Sequence, residues 1–264
     1  MEEYITSPGN PSVKRLKMLH NRKYRDLYGQ YLAEGPKIVK EALLNGEDIW
    51  ALAVSENFPW TDFKEEIGIE LDTLRVLILN EKLFNDVSDA KTPQGILAVI
   101  NKRQYALDDV LNADSYFLTL LDEIRDPGNL GTIIRTVDAA AGDGVVLTKG
   151  CTDPYSPKVV RSSMGSIFRV PVYKTDDCAA FLNKLLQQGV HVLVSHLNGS
   201  SLFEWPGGYK KTVLVIGNES KGVREEICEC ASSLIKIPIY GKAESLNASV
   251  AAGILIYEVV RKSR

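Results

Sequence analysis

Val213-Leu214-Val215-Ile216 runs straight into Gly217-Asn218-Glu219-Ser220-Lys221-Gly222, and this stretch decides how the rest of the chain is read. A short, unbroken apolar run bounded by a Gly-containing turn predicts a strand buried on both faces. A second strand-end and turn, Ile237-Pro238-Ile239-Tyr240-Gly241, leads through Ser245-Leu246-Asn247-Ala248-Ser249 into a long apolar helix. Ser245 is the expected N-cap of that helix, with Asn247 two residues inside it. Asn is a poor choice within an apolar helix, so its amide is expected to have a specific partner. Strand-ends followed by turns that feed helices are how an open α/β sheet builds a ligand crevice.

The spacing invites a phosphate reading, which fails. Gly217 and Gly222 are separated as in a P-loop, but Val223 stands where that motif needs Lys. Glu219 inside the turn would repel phosphate oxygens, and no G-x-G-x-x-G occurs anywhere in the chain. Two turns with free backbone groups suit a neutral or zwitterionic ligand with an adenine edge to read.

Working outward, 264 residues fit two domains better than one. Hydrophobic residues at 45 % and charged residues at 25 % describe an ordinary globular chain with material for a sizeable core. No apolar run approaches the ~20 residues of a membrane span, and the acidic start Met1-Glu2-Glu3-Tyr4 predicts no secretory leader. Cys151, Cys178, Cys228 and Cys230 form no C-x-x-C pair, and with His20, His191 and His196 they give no zinc spacing. No metal is expected, and free thiols point to the cytoplasm. A net charge of −3 excludes nucleic-acid binding by the whole surface but leaves room for local patches.

One such patch lies near the start, where Lys14, Arg15, Lys17, Arg22, Lys23 and Arg25 occur with no acid between residues 4 and 25. A basic helix capped by Ser12, with Tyr24, Tyr28 and Tyr31 close behind, could track an RNA backbone and stack unpaired bases. Alternating short strands and helices then predict a small α/β domain over residues 1–106, with 107–114 as a linker. From 115 to 264 the alternation continues: strands at 115–121, 145–147, 170–173, 190–195 and 213–216, and helices at 132–141 and 178–188. This is the pattern of a helix-covered parallel sheet. Ser156 and Pro157 are placed to open a further helix carrying Lys158 and Arg161.

Three stretches together resemble a known family. Asn129-Leu130-Gly131-Thr132-Ile133-Ile134-Arg135, the Gly217-to-Gly222 turn, and Ile237-Pro238-Ile239 through Ser249 are similar to motifs 1, 2 and 3 of the SpoU/TrmH branch of the SPOUT RNA methyltransferases. The N-terminal half resembles the domain, similar to ribosomal protein L30e, that many members carry to bind substrate. The resemblance implies a C-terminal trefoil-knot α/β domain, S-adenosylmethionine bound in the knot, a homodimer with its active site at the subunit interface, and methyl transfer to a ribose 2′-hydroxyl. Carried over by position, Gly217, Ile237 and Leu246 would give main-chain contacts to the cofactor, with Ile216, Glu219, Gly222, Ile239, Ser245 and Asn247 around it. Arg135 would be the catalytic residue, its surroundings shaped by Asn129, Glu219, Ser245 and Asn247. A guanidinium hardly ever gives up its proton. Arg135 is therefore expected to orient the hydroxyl and a neighbouring phosphate, with a phosphate oxygen, a water or a transiently deprotonated arginine accepting the proton. Tyr155, Lys158 and Arg161 would help hold the RNA backbone.

A full domain ahead of the catalytic one points to large-subunit (23S) ribosomal RNA over tRNA. The alternatives are a tRNA 2′-O-methyltransferase and a non-catalytic RNA-binding protein on the same scaffold. A nucleotide hydrolase fails for want of the P-loop Lys.

Overall fold

The computed structural model describes residues 2–71, 73–218 and 220–263. Glu219, expected at both the catalytic and the cofactor site, lies outside them. The chain divides into two units. One runs to Gln104 and takes in Tyr155–Phe168; the other comprises Tyr105–Pro154 and the chain from Arg169.

The N-terminal unit contains β1 (Glu2–Ile5), α1 (Pro11–Met18), α2 (Arg22–Tyr28), β2 (Gln30–Glu34) and α3 (Pro36–Leu44). It continues with β3 (Ile49–Ser55), α4 (Trp60–Ile67), β4 (Val76–Leu79), α5 (Glu81–Val87) and β5 (Ile96–Asn101). Its five strands lie in the order β1-β4-β3-β5-β2, with β5 antiparallel to both its neighbours. Leu16, Leu32, Leu77, Phe84 and Val99 fill the core on one side of this sheet. The basic stretch forms two helices, because Asn21 caps a new one at Arg22. Asn10, not the expected Ser12, caps α1: its side chain accepts from the Ser12 N–H at 2.8 Å, with Pro11 as the first helical residue.

The C-terminal unit opens with α6 (Leu107–Leu111), β6 (Tyr116–Leu121), α7 (Pro127–Ala139) and β7 (Gly144–Thr148). Helix α8 (Pro157–Ser162) follows in sequence but belongs to the other unit. Then come β8 (Val172–Thr175), α9 (Cys178–Gln187), β9 (His191–Ser201), β10 (Lys211–Ile216), α10 (Glu225–Cys228), β11 (Ser233–Lys236) and α11 (Ala248–Ser263). The six strands are ordered β11-β9-β10-β6-β7-β8 and every pairing is parallel. Central strand β10 is buried from Thr212 to Ile216, as its unbroken apolar run requires.

Several local expectations change. Residues 107–114, expected as a linker, contain α6, whose Leu107, Val110 and Leu111 pack on the core of the C-terminal unit. Helix α7 begins at Pro127 instead of Thr132, because Asp126 caps it, accepting from the Asn129 N–H at 2.8 Å. Helix α11 begins after Asn247, which is its cap instead of Ser245: Asn247 Oδ1 accepts from Ser249 N and Val250 N. Ser156 stands at the cap position of α8, but its hydroxyl makes no capping bond. Strand β11 ends at Lys236, one residue before the turn at Ile237 that reads as following a strand-end; its own bounds are not legible in the sequence, because its run is short and ends in a charged residue.

Candidate functional site

A cavity of about 380 Å³ opens at the carboxyl ends of β10 and β11. The turn after β10 forms one wall through Gly217, Asn218, Ser220, Lys221 and Gly222, and the segment after β11 forms the other through Ile237, Ile239, Ser245 and Leu246. Ile216 closes the floor, with Ala248 and Ala251 of α11 beside it. The two turns singled out in the sequence thus converge on one site.

The first wall is narrow because the turn doubles back on itself. Asn218 and Gly222 exchange backbone hydrogen bonds, Asn218 N to Gly222 O at 3.1 Å and Gly222 N to Asn218 O at 2.9 Å. A Cβ on Gly217 would stand 2.2 Å from Gly222 C and Val223 N, so no other residue fits there. Gly222 itself takes a left-handed φ of 72°. The Asn218 side chain fills the turn, its Oδ1 accepting from Ser220 N at 2.9 Å and Lys221 N at 3.1 Å.

A third face comes from a break in strand pairing. β11 pairs Leu234 with Val194 and then Ile235 with Ser200, so residues 195–199 leave the ladder. Ser195, His196 and Leu197 are thereby released to line the cavity. Sequence reasoning missed them, since Val190 to Ser195 reads as an ordinary strand; Gly199 was the available signal.

The motif-1 residues sit differently. Asn129 is nearly buried in the first turn of α7, and Asn247 Nδ2 donates to its Oδ1 at 3.0 Å. This bond ties the start of α7 to the start of α11 and supplies the partner expected for the Asn247 amide. Asn129, Asn247 and Arg135 are not among the cavity-lining side chains. Arg135 lies more than two turns into α7, exposed, and makes no hydrogen bond or ion pair among the described residues.

Of the side chains expected to hold RNA, several are engaged within the N-terminal unit. Arg25 is 4 % exposed and donates to Leu19 O and His20 O at 2.8 Å, so it locks the α1–α2 corner instead of presenting its charge to solvent. Arg15 lies between the rings of Tyr28 and Trp50, at 4.2 and 4.7 Å. Lys17 pairs with Asp86, Arg22 with Asp26, and Arg161 with Asp89, all at the surface. Tyr155 packs on Tyr31 with centroids 4.8 Å apart. Lys14, Lys23 and Lys158 are exposed. The unit also has a cavity of about 410 Å³, lined by Lys37, Lys91, Arg161 and Met164.

Among the described residues, no group of three metal-ligating side chains occurs and no helix is long and apolar enough to cross a membrane. Burial pushes the Cys178 thiol up to about 12 and also raises Cys151, the reverse of what a thiolate nucleophile needs.

Residues 116–257 match the model of the SpoU rRNA methylase family, and residues 10–98 match an MRM3-like substrate-binding domain. The chain belongs to the SpoU family. Its C-terminal unit has the trefoil-knot α/β fold of the SPOUT methyltransferases, and the protein is an S-adenosylmethionine-dependent RNA 2′-O-methyltransferase. The 23S rRNA (guanosine(2553)-2′-O)-methyltransferase of Bacillus subtilis is 36 % identical, over 97 % of this chain and 98 % of that protein. An AdoMet-bound rRNA methyltransferase from Sinorhizobium meliloti superposes with a TM-score of 0.86 at 35 % identity, covering 98 % of both chains. The SpoU methyltransferase AviRb of Streptomyces viridochromogenes, solved with AdoMet, gives 0.83 at 26 % identity, covering 96 % of this chain and 97 % of that one.

Proposed function

We propose that this protein methylates a ribose 2′-hydroxyl of large-subunit (23S) ribosomal RNA, as a cytoplasmic homodimer, with the methyl donor held in the cavity between residues 216–222 and 237–246. The convergence of those two segments on one cavity carries the assignment. Its size is that of a small-molecule site, and its chemistry fits the donor. Ile216, Ile237, Ile239 and Leu246 offer an apolar slot for an adenine ring, and backbone groups of the turn can read its edge. Glu244 can face the donor's cationic groups, and Lys221 its carboxylate. S-adenosylmethionine supplies an activated methyl group. The protein's own task is to hold the accepting hydroxyl in line with it, and positioning supplies much of the rate.

Arg135 is the residue we assign to that hydroxyl and its neighbouring phosphate, through its planar fork of donors. It has no side-chain partner among the described residues and is exposed on α7, as expected of a group that completes a site across a dimer interface. Helix α11 offers a surface for the dimer: Val250 and Tyr257 are 52 % and 53 % exposed, with Ile254 between them on the same face. The N-terminal unit would hold the RNA through Lys14, Lys23, Lys158 and Arg161.

Ribose-methylation mapping of RNA from a deletion strain tests the substrate: one 2′-O-methyl mark should vanish from 23S RNA. Loss of a tRNA mark, or of none, would overturn the assignment. Arg135→Lys should cut turnover by roughly 100-fold at unchanged cofactor affinity; near-full turnover would remove Arg135 from the reaction.

A further inference from the structure

Arg224 follows the cofactor turn, and no motif accounts for it. Its Nε and Nη2 donate to Asp122 Oδ1 at 3.0 and 2.9 Å, and its backbone N–H donates to Asp122 Oδ2 at 3.1 Å. Side chain and main chain of one residue therefore converge on one carboxylate. Asp122 is fully buried just past β6 and also accepts from Thr148 Oγ1 at 3.0 Å. Thr148 Oγ1 in turn accepts from Glu123 N at 3.1 Å, and Glu123 holds a left-handed φ of 54°. Its carbonyl accepts from Asn218 Nδ2 at 2.9 Å, at the other end of the turn.

Both ends of residues 218–224 are thus moored to the same two residues, Asn218 to Glu123 and Arg224 to Asp122. We propose that Arg224 is a positioning residue for the cofactor: through Asp122 it fixes the exit of the turn, so that the turn's backbone groups face the cavity before S-adenosylmethionine arrives. The inference rests on the cavity being the donor site. A buried carboxylate that loses its cation is left uncompensated. Without Arg224 the turn must move to let water reach Asp122. Lys would restore charge but not the fork.

The test compares wild-type protein with Arg224→Met, Arg224→Lys and the double variant Asp122→Asn/Arg224→Met. Titration calorimetry with S-adenosylmethionine should show affinity about tenfold weaker for Arg224→Met and roughly threefold weaker for Arg224→Lys. The double variant, which has no buried charge to compensate, should be no worse than Arg224→Met. Amide exchange at residues 218–222 without cofactor should accelerate in Arg224→Met, while RNA affinity stays unchanged. In methylation assays the effect should fall on the KM for cofactor, with kcat within about twofold. If Arg224→Met does not fold, the Arg224→Lys comparison decides. Wild-type protein that fails to bind S-adenosylmethionine would sink the reading of the cavity. Wild-type binding with both Arg224 variants within twofold of it would overturn this inference alone.

Discussion

The two walls of the proposed cofactor cavity are built by opposite means. The turn at 217–222 is closed by reciprocal backbone bonds between Asn218 and Gly222, filled by the Asn218 side chain, and moored through Asn218 and Arg224 to Glu123 and Asp122, just past β6. Residues 237–246 make no hydrogen bond or ion pair to any other described residue, and the stretch from Ile239 onward is exposed, Tyr240 at 89 %. One wall is held by its own hydrogen bonds; the other, among the described residues, has none. A preorganised surface loses little entropy on binding, whereas an exposed one orders at a cost in affinity. The rigid wall should therefore govern how tightly the cofactor is held.

The contrast can be broken most directly at Gly217. Gly217→Ala forces a Cβ into backbone at 2.2 Å, and cofactor affinity should fall roughly 100-fold, the ~3 kcal/mol of a severe overpacking. Affinity within threefold of wild type, measured by calorimetry, would show that the first wall is not rigid. Asn247→Ala removes the α11 cap and leaves Asn129 without that partner, costing about 2 kcal/mol in denaturant unfolding. An unchanged midpoint would mean that the bond between the two helix starts does not anchor the second wall. Leu246→Ala trims the exposed wall, so cofactor affinity should drop only ~5-fold with the unfolding midpoint unmoved. A larger loss than at Gly217 would invert the comparison.

The smallest effect lies outside the cavity. His191 is 8 % exposed at the start of β9, stacked 3.7 Å from Tyr209, and burial lowers its pKa from the ordinary 6.5. With the folded value below the unfolded one, its neutral form stabilises the fold fully above pH 6.5. That contribution is lost as pH falls through the lower folded value. His191→Phe should flatten this acid-side loss in unfolding measurements and leave cofactor affinity unchanged at pH 7.5. An identical pH profile would dismiss the histidine as its source.

Asp126 and Pro127 carried the start of α7 in plain view, a cap followed by the residue most at home in a first turn. Read as loop, they displaced Asn129 and Arg135 by a turn and a half of helix. Ser245 and Asn247 are both good caps, and spacing alone cannot rank them; the choice of Asn247 follows from Asn129, distant in sequence, accepting its amide. Arg25 shows the same limit in the basic stretch, where composition counts a cation without seeing the carbonyls that hold it.

What the sequence determined by itself was the parallel sheet, the family and the two turns that meet at the cavity, because each depends on short-range patterns of apolar runs, Gly and cap residues. The tertiary structure alone decided which charges stay free, where β9 releases Ser195 to Leu197, and that Arg224 moors the turn through Asp122. Those outcomes depend on partners about a hundred residues apart, and burial determines whether a polar group must find one.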